Sequence, residues 1–449
     1  MSQQVLNATN TTNTSDVKRN LGRMDLMSIA IGQTIGAGIM AMTGTAIGMT
    51  GRSVNIAFIF AGIITILAII PQIYVGGTAR FKGGQYTQVA AFGGQKLAGI
   101  FTMINIFIGI GISMYVLSFT EYFVALVPNA PSKIISMLVI TIMFGLNLLG
   151  TKQAAKLQTV LCVAMAAALG LFVAFGVGEI QPGYFEQPGF MTAGVMGLLV
   201  ASSYLSFAAG GATYVINFSG EAKNPTKDIP FVIIAATIGV SILYALIGTI
   251  AGGVLPVEQV ANKSLSLVAE SIMPKSLYIF FIVGGAMFSL LTTLNASIGW
   301  ITRPVVQAAN DGWLPKFMGN IHPKFKTPAN ALLLFYIIGI IPIMLDLDIS
   351  IVSSSTVILT SVVKAILAFI TIRMPFVMPE LWEKSKFYIS DGKLKFVCIL
   401  GGLVATLQVV LLVVTSSRQE IIGNITILGF SIIYAILREK KVKMEVSYE

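Results

Sequence analysis

Charge is what this 449-residue sequence has least of: Asp, Glu, Lys and Arg make up 11% of it, against about 25% in a soluble domain. Hydrophobic residues supply 55% and the mean hydropathy is +0.84, so too little polar surface exists to face water, and the chain reads as a polytopic membrane protein. The single histidine, His322, lies in a loop beside Pro323. No Asp or Glu sits deep in any apolar stretch, since Asp25 and Glu121 fall near the edges. Without acids, histidines and nucleophiles at matched depth, no catalytic residues are assigned and enzyme chemistry is excluded. The two cysteines, Cys162 and Cys398, are far apart in apolar spans and read as free buried thiols, with neither a disulfide nor a metal site indicated.

Residues 1–20 lack an apolar core and are rich in Asn, Thr and Ser. They read as a disordered cytoplasmic tail over 1–22, without a cleavable signal peptide. The Asn-x-Ser/Thr triplets at Asn7, Asn10 and Asn13 are then accidents of composition. The formal net charge is +10, but the basic residues are scattered among short loops, which fits membrane topology rather than nucleic acid.

Runs of about 17–25 apolar residues mark membrane helices. Twelve are expected: 25–50, 54–78, 96–124, 132–149, 153–178, 192–217, 230–254, 276–303, 328–346, 350–373, 395–415 and 421–437. The fourth and fifth are separated only by Gly150-Thr-Lys152. With both termini in the cytoplasm, five basic residues fall outside (Arg52, Lys133, Lys263, Lys275 and Arg418), Lys364 falls within a span, and the other 23 fall inside. That split obeys the positive-inside rule, and a multi-pass protein of the plasma membrane, surrounded by lipid, is expected. The oligomeric state is left open.

One span is out of character for an anchor. Residues 28–49 carry five glycines, with Gly36-Ala37-Gly38 near the middle. Glycine costs about 1 kcal/mol against alanine inside a helix, so the cluster predicts an interrupted helix whose bare amides and carbonyls line a substrate site. Close packing through small residues is the competing reading. The sixth span has a matching interruption at Gly210-Gly211. Paired broken helices five spans apart indicate an inverted repeat: a first half over 23–180, a second over 181–374, and two peripheral spans with a cytoplasmic C-terminal tail over 375–449.

Four stretches then take on a shared identity. Gly32-Gln-Thr-Ile-Gly-Ala-Gly-Ile-Met40 resembles the first-helix motif of the amino acid–polyamine–organocation (APC) superfamily. Phe81-Lys-Gly-Gly-Gln-Tyr86 is similar to its loop after the second helix. Phe207-Ala-Ala-Gly-Gly211 with Glu221-Ala-Lys-Asn-Pro225 and Asp228-Ile-Pro230 is similar to its sixth helix and following loop. Asn310-Asp-Gly-Trp-Leu-Pro315 with Thr327-Pro328 is similar to the loop after its eighth helix. The resemblance spans about residues 20–375 and implies an all-α, leucine-transporter-like fold with a 5+5 inverted repeat and broken first and sixth helices.

It also implies an amino acid permease working by alternating access. The N–H groups of Ala37 and Gly38 would take the substrate carboxylate, and the carbonyls of Thr34, Phe207 and Gly210 its ammonium. Many relatives carry Ser where this chain has Ala37. Phe207 resembles an aromatic gate, Asn295 and Ser297 would line the side-chain pocket, and Gly36 and Gly211 would be hinges. The lack of a deep carboxylate favours neutral amino acids.

For the driving force, the lysine of many relatives' fifth helix corresponds to Met165, with Lys152 and Lys156 too near the helix end. Ser289, Thr292 and Thr293 share one helix face and, with Gly32 and Ile35, resemble the second sodium site of the leucine-transporter fold. Their hard oxygen donors suit Na+ as a coupling ion; hydroxyls bonding their own helix carbonyls are the ordinary alternative. Coupling to Na+, coupling to H+ and exchange without an ion all stay open, as does a transport-incompetent amino acid sensor. Lys364, nine residues from Arg373, is expected to snorkel to the membrane edge or meet a structural partner, with a second route to proton coupling as the alternative.

Overall fold

The computed structural model describes residues 21–449 except Lys82, Gly150, Gln187, Glu445, Ser447 and Glu449, and it does not describe the side chains of Ala37 and residues 151–160. The expected tail and its three asparagine triplets lie outside the described residues, as do the side chains of Lys152 and Lys156. Among the described residues the protein is helical throughout, with isolated bridges and no strand.

Among the described residues twelve principal helical units follow in order, with shorter helices such as Gln85–Gly93 and Ser266–Ile272 between them. α1 is in three pieces, Arg23–Thr34, Ala37–Met40 and Thr43–Thr50, and bends by 50° at the last break. α2 is Val54–Thr78, α3 Gln95–Leu126, α4 Ser132–Leu149 and α5 Thr151–Gly176. α6 runs over Gly194–Ala209 and continues as a 3₁₀ helix over Gly210–Phe218. α7 is Pro225–Gly253, α8 Lys275–Asn310, α9 Ala329–Met344, α10 Ile349–Thr371, α11 Asp391–Thr415 and α12 Arg418–Arg438.

Among the described residues ten helices are long and apolar enough to cross a membrane, or eleven when the bent pieces of α1 count as one span. The ninth expected span, 328–346, is the 16-residue helix α9. It is cut short by Pro328 at its start and by a turn after Met344, and falls below the ~20 residues a hydrocarbon core requires. Local chemistry accounts for other ends. Pro225 opens α7 at a position where its missing N–H costs nothing. Ser417 and Glu420 cap α12 reciprocally, with the Ser417 amide donating to Glu420 Oε2 at 2.7 Å.

The core is layered around α1. α2 packs against α6 and α7, and α1 lies among α7, α8 and the 3₁₀ part of α6. α11 packs on α10 and α12 on α3. Outward faces stay apolar: Ile134, Leu138 and Ile142 recur every four residues along α4 and are each more than half exposed. A water-facing helix would put polar residues there, so the stripe is suited to lipid.

Candidate functional site

The glycine cluster of α1 does interrupt the helix. Regular structure stops at Thr34, the chain is extended at Ile35, and it restarts at Ala37. Without amides one turn later, the carbonyls at the break lose their ordinary helical partners. The glycines also permit close approach, so interruption and close packing occur in the same stretch. A β-carbon on Gly36 would overlap the Thr293 hydroxyl of α8, and one on Gly38 would lie 2.5 Å from the β-carbon of Ala208 in α6.

α6 answers at the same depth, though by a different device. Its chain does not open at Gly210-Gly211 but tightens into nine residues of 3₁₀ helix, far longer than the usual three or four. The Phe207 carbonyl accepts from the Gly210 amide, and the Gly210 carbonyl accepts from the Thr213 hydroxyl at 2.7 Å. A β-carbon on Gly211 would lie 2.8 Å from both the Gln33 carbonyl oxygen and the Thr34 α-carbon. The two irregular segments therefore touch, main chain against main chain.

A narrow cavity opens beside this contact, with room for little more than a water molecule. Thr34, Gly38, Phe207 and Gly210 line it, as does the hinge candidate Gly211. So do Gln33, Tyr115, Tyr214 and Lys364, which sequence reasoning either missed or placed elsewhere. Lys364 is turned into this cavity: a β-carbon on Gly210 would lie 3.0 Å from its Nζ. Phe207, Tyr115 and Tyr214 also line an adjoining cavity with Ser297 and Trp300, and the Tyr214 and Trp300 rings stack at 3.8 Å. Ser297 and the Gln33 side chain are hydrogen-bonded, with Gln33 Nε2 donating at 3.1 Å. Asn295 lines neither cavity; it points to α4, where its Oδ1 accepts from Asn147 Nδ2 at 2.9 Å. The Thr34 carbonyl already accepts from the Tyr244 hydroxyl of α7 at 2.5 Å.

Behind the cavity, oxygens from α1 and α8 converge. Thr293 Oγ1 lies 2.9 Å from the Gly32 carbonyl, 3.2 Å from that of Ile35 and 3.0 Å from that of Ser289. Thr292 Oγ1 lies 2.8 Å from the Ser289 carbonyl and 3.5 Å from that of Gly32. Ser289 contributes its carbonyl, because its own hydroxyl donates to Ala286 at 2.8 Å. All five residues are buried. A π-helical turn over Phe281–Met287 leads into this part of α8, a distortion frequent at functional sites. Met165 is fully buried on α5. Among the described residues no cluster of His, Cys, Asp and Glu could hold a metal.

Both ends of the bundle are tied across. At the end where α1 begins, Arg23 pairs with Asp228 at 2.8 Å and Arg303 with Glu221 at 2.6 Å. There the Tyr86 hydroxyl donates to Asp311 at 2.6 Å and the Gln85 amide to Asn217 Oδ1 at 2.9 Å. Burial, reinforced by the Asp311 carboxylate, pushes the Tyr86 phenol well above its ordinary pKa, so it stays a donor. Residues of the second, third and fourth motif stretches thus meet at one closure. At the opposite end, Tyr122 donates to the Met40 carbonyl at 3.0 Å and the Asn262 amide to that of Gly44 at 2.8 Å.

Residues 21–437 match the family model for amino acid permeases. The chain is 27% identical over 345 residues to the branched-chain amino acid permease BcaP of Bacillus subtilis, covering 71% of this chain and 73% of that protein. It is 27% identical over 334 residues to the methylthioribose transporter of the same organism, covering 69% and 71%. It is also 25% identical over 353 residues to the vacuolar cationic amino acid transporter 4 of Arabidopsis thaliana, covering 70% and 56%. A match that runs through both interrupted helices and the motif stretches around them settles the family: this chain belongs to the amino acid permeases of the APC superfamily, which are transporters and not enzymes.

Proposed function

We propose that this chain is a secondary transporter that carries neutral amino acids across the plasma membrane by alternating access, coupled to a Na+ or H+ gradient. The observation that carries this reading is the contact of two irregular helix segments beside a cavity at mid-bundle. Main-chain amides and the second lone pairs of main-chain carbonyls there can hold both ends of a zwitterion. The amides of Ala37 and Gly38 would take the carboxylate, and the carbonyls of Thr34, Phe207 and Gly210 the ammonium. Phe207 would gate the site, and Ser297 would act through Gln33. Asn295 would act at one remove, bracing α8 against α4. Gly36 and Gly211 would be the hinges of two inverted five-helix halves within twelve spans, with both termini cytoplasmic.

The cavity is too narrow for an amino acid as it stands, so loading requires the tied ends to part in turn. The names of the relatives range over branched-chain amino acids, methylthioribose and cationic amino acids, so family membership leaves the cargo open. Among the described residues no carboxylate lines the cavity to balance a cationic side chain, which supports neutral ones.

Gly32, Ile35, Ser289, Thr292 and Thr293 offer five hard oxygens within one small volume, which supports Na+ as the coupling ion. A second reading, exchange without an ion, draws on the same cluster, because the Thr293 hydroxyl already satisfies carbonyls at 2.9–3.2 Å. Uptake of a panel of labelled amino acids into proteoliposomes, with Na+ and H+ gradients imposed separately, decides between them. Stimulation by a gradient into empty vesicles supports coupling. Uptake that is indifferent to both gradients and strictly requires internal substrate supports exchange.

A further inference from the structure

Lys364 stands near the middle of α10, seven residues before the helix ends at Thr371. A lysine there would ordinarily reach back to the membrane edge. Its ammonium instead turns into the central cavity beside Gly210. Among the described residues no carboxylate pairs with it, and no Asp or Glu lines either cavity. The polar residues that line the cavity with it are neutral: Gln33, Thr34, Tyr115, Tyr214 and Thr293. An ammonium with no counter-charge is costly in hydrocarbon and acts over several ångströms where water is scarce.

We propose that Lys364 sets the charge class of the cargo: its ammonium excludes amino acids whose side chain carries an ammonium or guanidinium, and admits neutral and anionic ones. The inference rests on reading this cavity as the amino acid site. A neutral amino acid brings equal positive and negative charge, so its carboxylate can offset the repulsion felt by its own ammonium. A basic amino acid adds a second cation with nothing to offset it. Gly210 belongs to the same device, since a β-carbon there would lie 3.0 Å from Nζ and crowd the ammonium.

The test uses wild-type protein, K364M, K364Q and K364R in proteoliposomes, with uptake of the best neutral substrate measured in competition. Arginine and citrulline are the probes, nearly equal in shape and differing in charge. In wild type, citrulline should compete at least about tenfold better than arginine, an order set by one unbalanced charge at close range. In K364M and K364Q that preference should shrink by about tenfold or more, and in K364R it should persist. Equal competition in wild type overturns the filter without any variant. So does an unchanged preference in K364M or K364Q, or a folded K364M that binds neither probe in a thermal-shift assay. A wild-type protein that takes up no amino acid strikes the transport reading, and the filter falls with it.

Discussion

At the scale of single residues, the most informative atom is Thr293 Oγ1, which stands within 3.2 Å of three main-chain carbonyls drawn from two helices. One hydroxyl proton cannot serve three acceptors fully. The cluster is therefore poised either to accept a cation or to lock α1 against α8. Under Na+ coupling, Thr293→Ala should raise the apparent KM for Na+ by about tenfold or more, as losing a ligand does, with the substrate KM at saturating Na+ less affected. The measurement is uptake as a function of Na+ concentration, and an unchanged KM would favour the locking role. Gly38 is constrained differently, because its missing β-carbon is what lets α1 reach Ala208. Gly38→Leu should reduce uptake to about a hundredth or less while leaving membrane insertion intact, as read by fluorescence-detected size-exclusion chromatography. Normal uptake by that variant would count against the assigned site.

At the scale of elements, the two broken helices solve one problem in two ways. α1 opens its chain, whereas α6 keeps its hydrogen bonds by tightening to 3₁₀ geometry. Glycine pairs in sequence announce that a helix changes at that depth, but not which change occurs, since both conformations accept glycine. The ties across the bundle end belong to this scale too. Tyr86 and Asp311 join the loop after α2 to the loop after α8, so Tyr86→Phe removes a buried, charge-assisted bond worth about 1.5–3 kcal/mol. The purified variant should melt about 2–4 °C lower, and an unchanged Tm would mean that the other ties at this end, such as the Gln85 amide to Asn217 Oδ1 at 2.9 Å, suffice without it.

The C-terminal segment after α12 lies across the same end. The Lys443 amide donates to the Asp311 carbonyl at 3.1 Å, and Tyr448 packs on Phe81 with its hydroxyl on the Val377 carbonyl. Truncation after Lys441 should also lower Tm, and should speed proteolysis of the loop around Gly83 and Gly84. A truncated protein as protease-resistant as the full chain would make the segment a passenger.

At the scale of the whole molecule, the arrangement of basic residues makes a topological forecast. With Cys162 and Cys398 replaced by serine, a cysteine at Lys263 should react with an impermeant maleimide on intact cells. A cysteine at Lys227 should react only after lysis. The reverse pattern would invert the topology, and labelling of both would break the even-span arrangement. The apolar stripes of α4 and α11, with Leu403 and Leu407 both more than half exposed, belong to this scale as well. They give the bundle an apolar surface suited to lipid.

Composition and hydropathy by themselves determined that this chain is helical and membrane-embedded, and the glycine clusters determined where two helices become irregular. Those are one-dimensional properties, because a span is defined by transfer energy along the chain and an interruption by local backbone cost. The hydroxyl spacing of Ser289, Thr292 and Thr293 was legible for the same reason, since one helix period fixes a shared face. Tertiary structure alone decided what meets across helices: Asn295 with Asn147, Tyr244 with the Thr34 carbonyl, and Lys364 inside the cavity rather than at the membrane edge. In a soluble helix a polar face would have told inside from outside. Here lipid and protein interior are both apolar, so periodicity carries no such label and only packing can supply it.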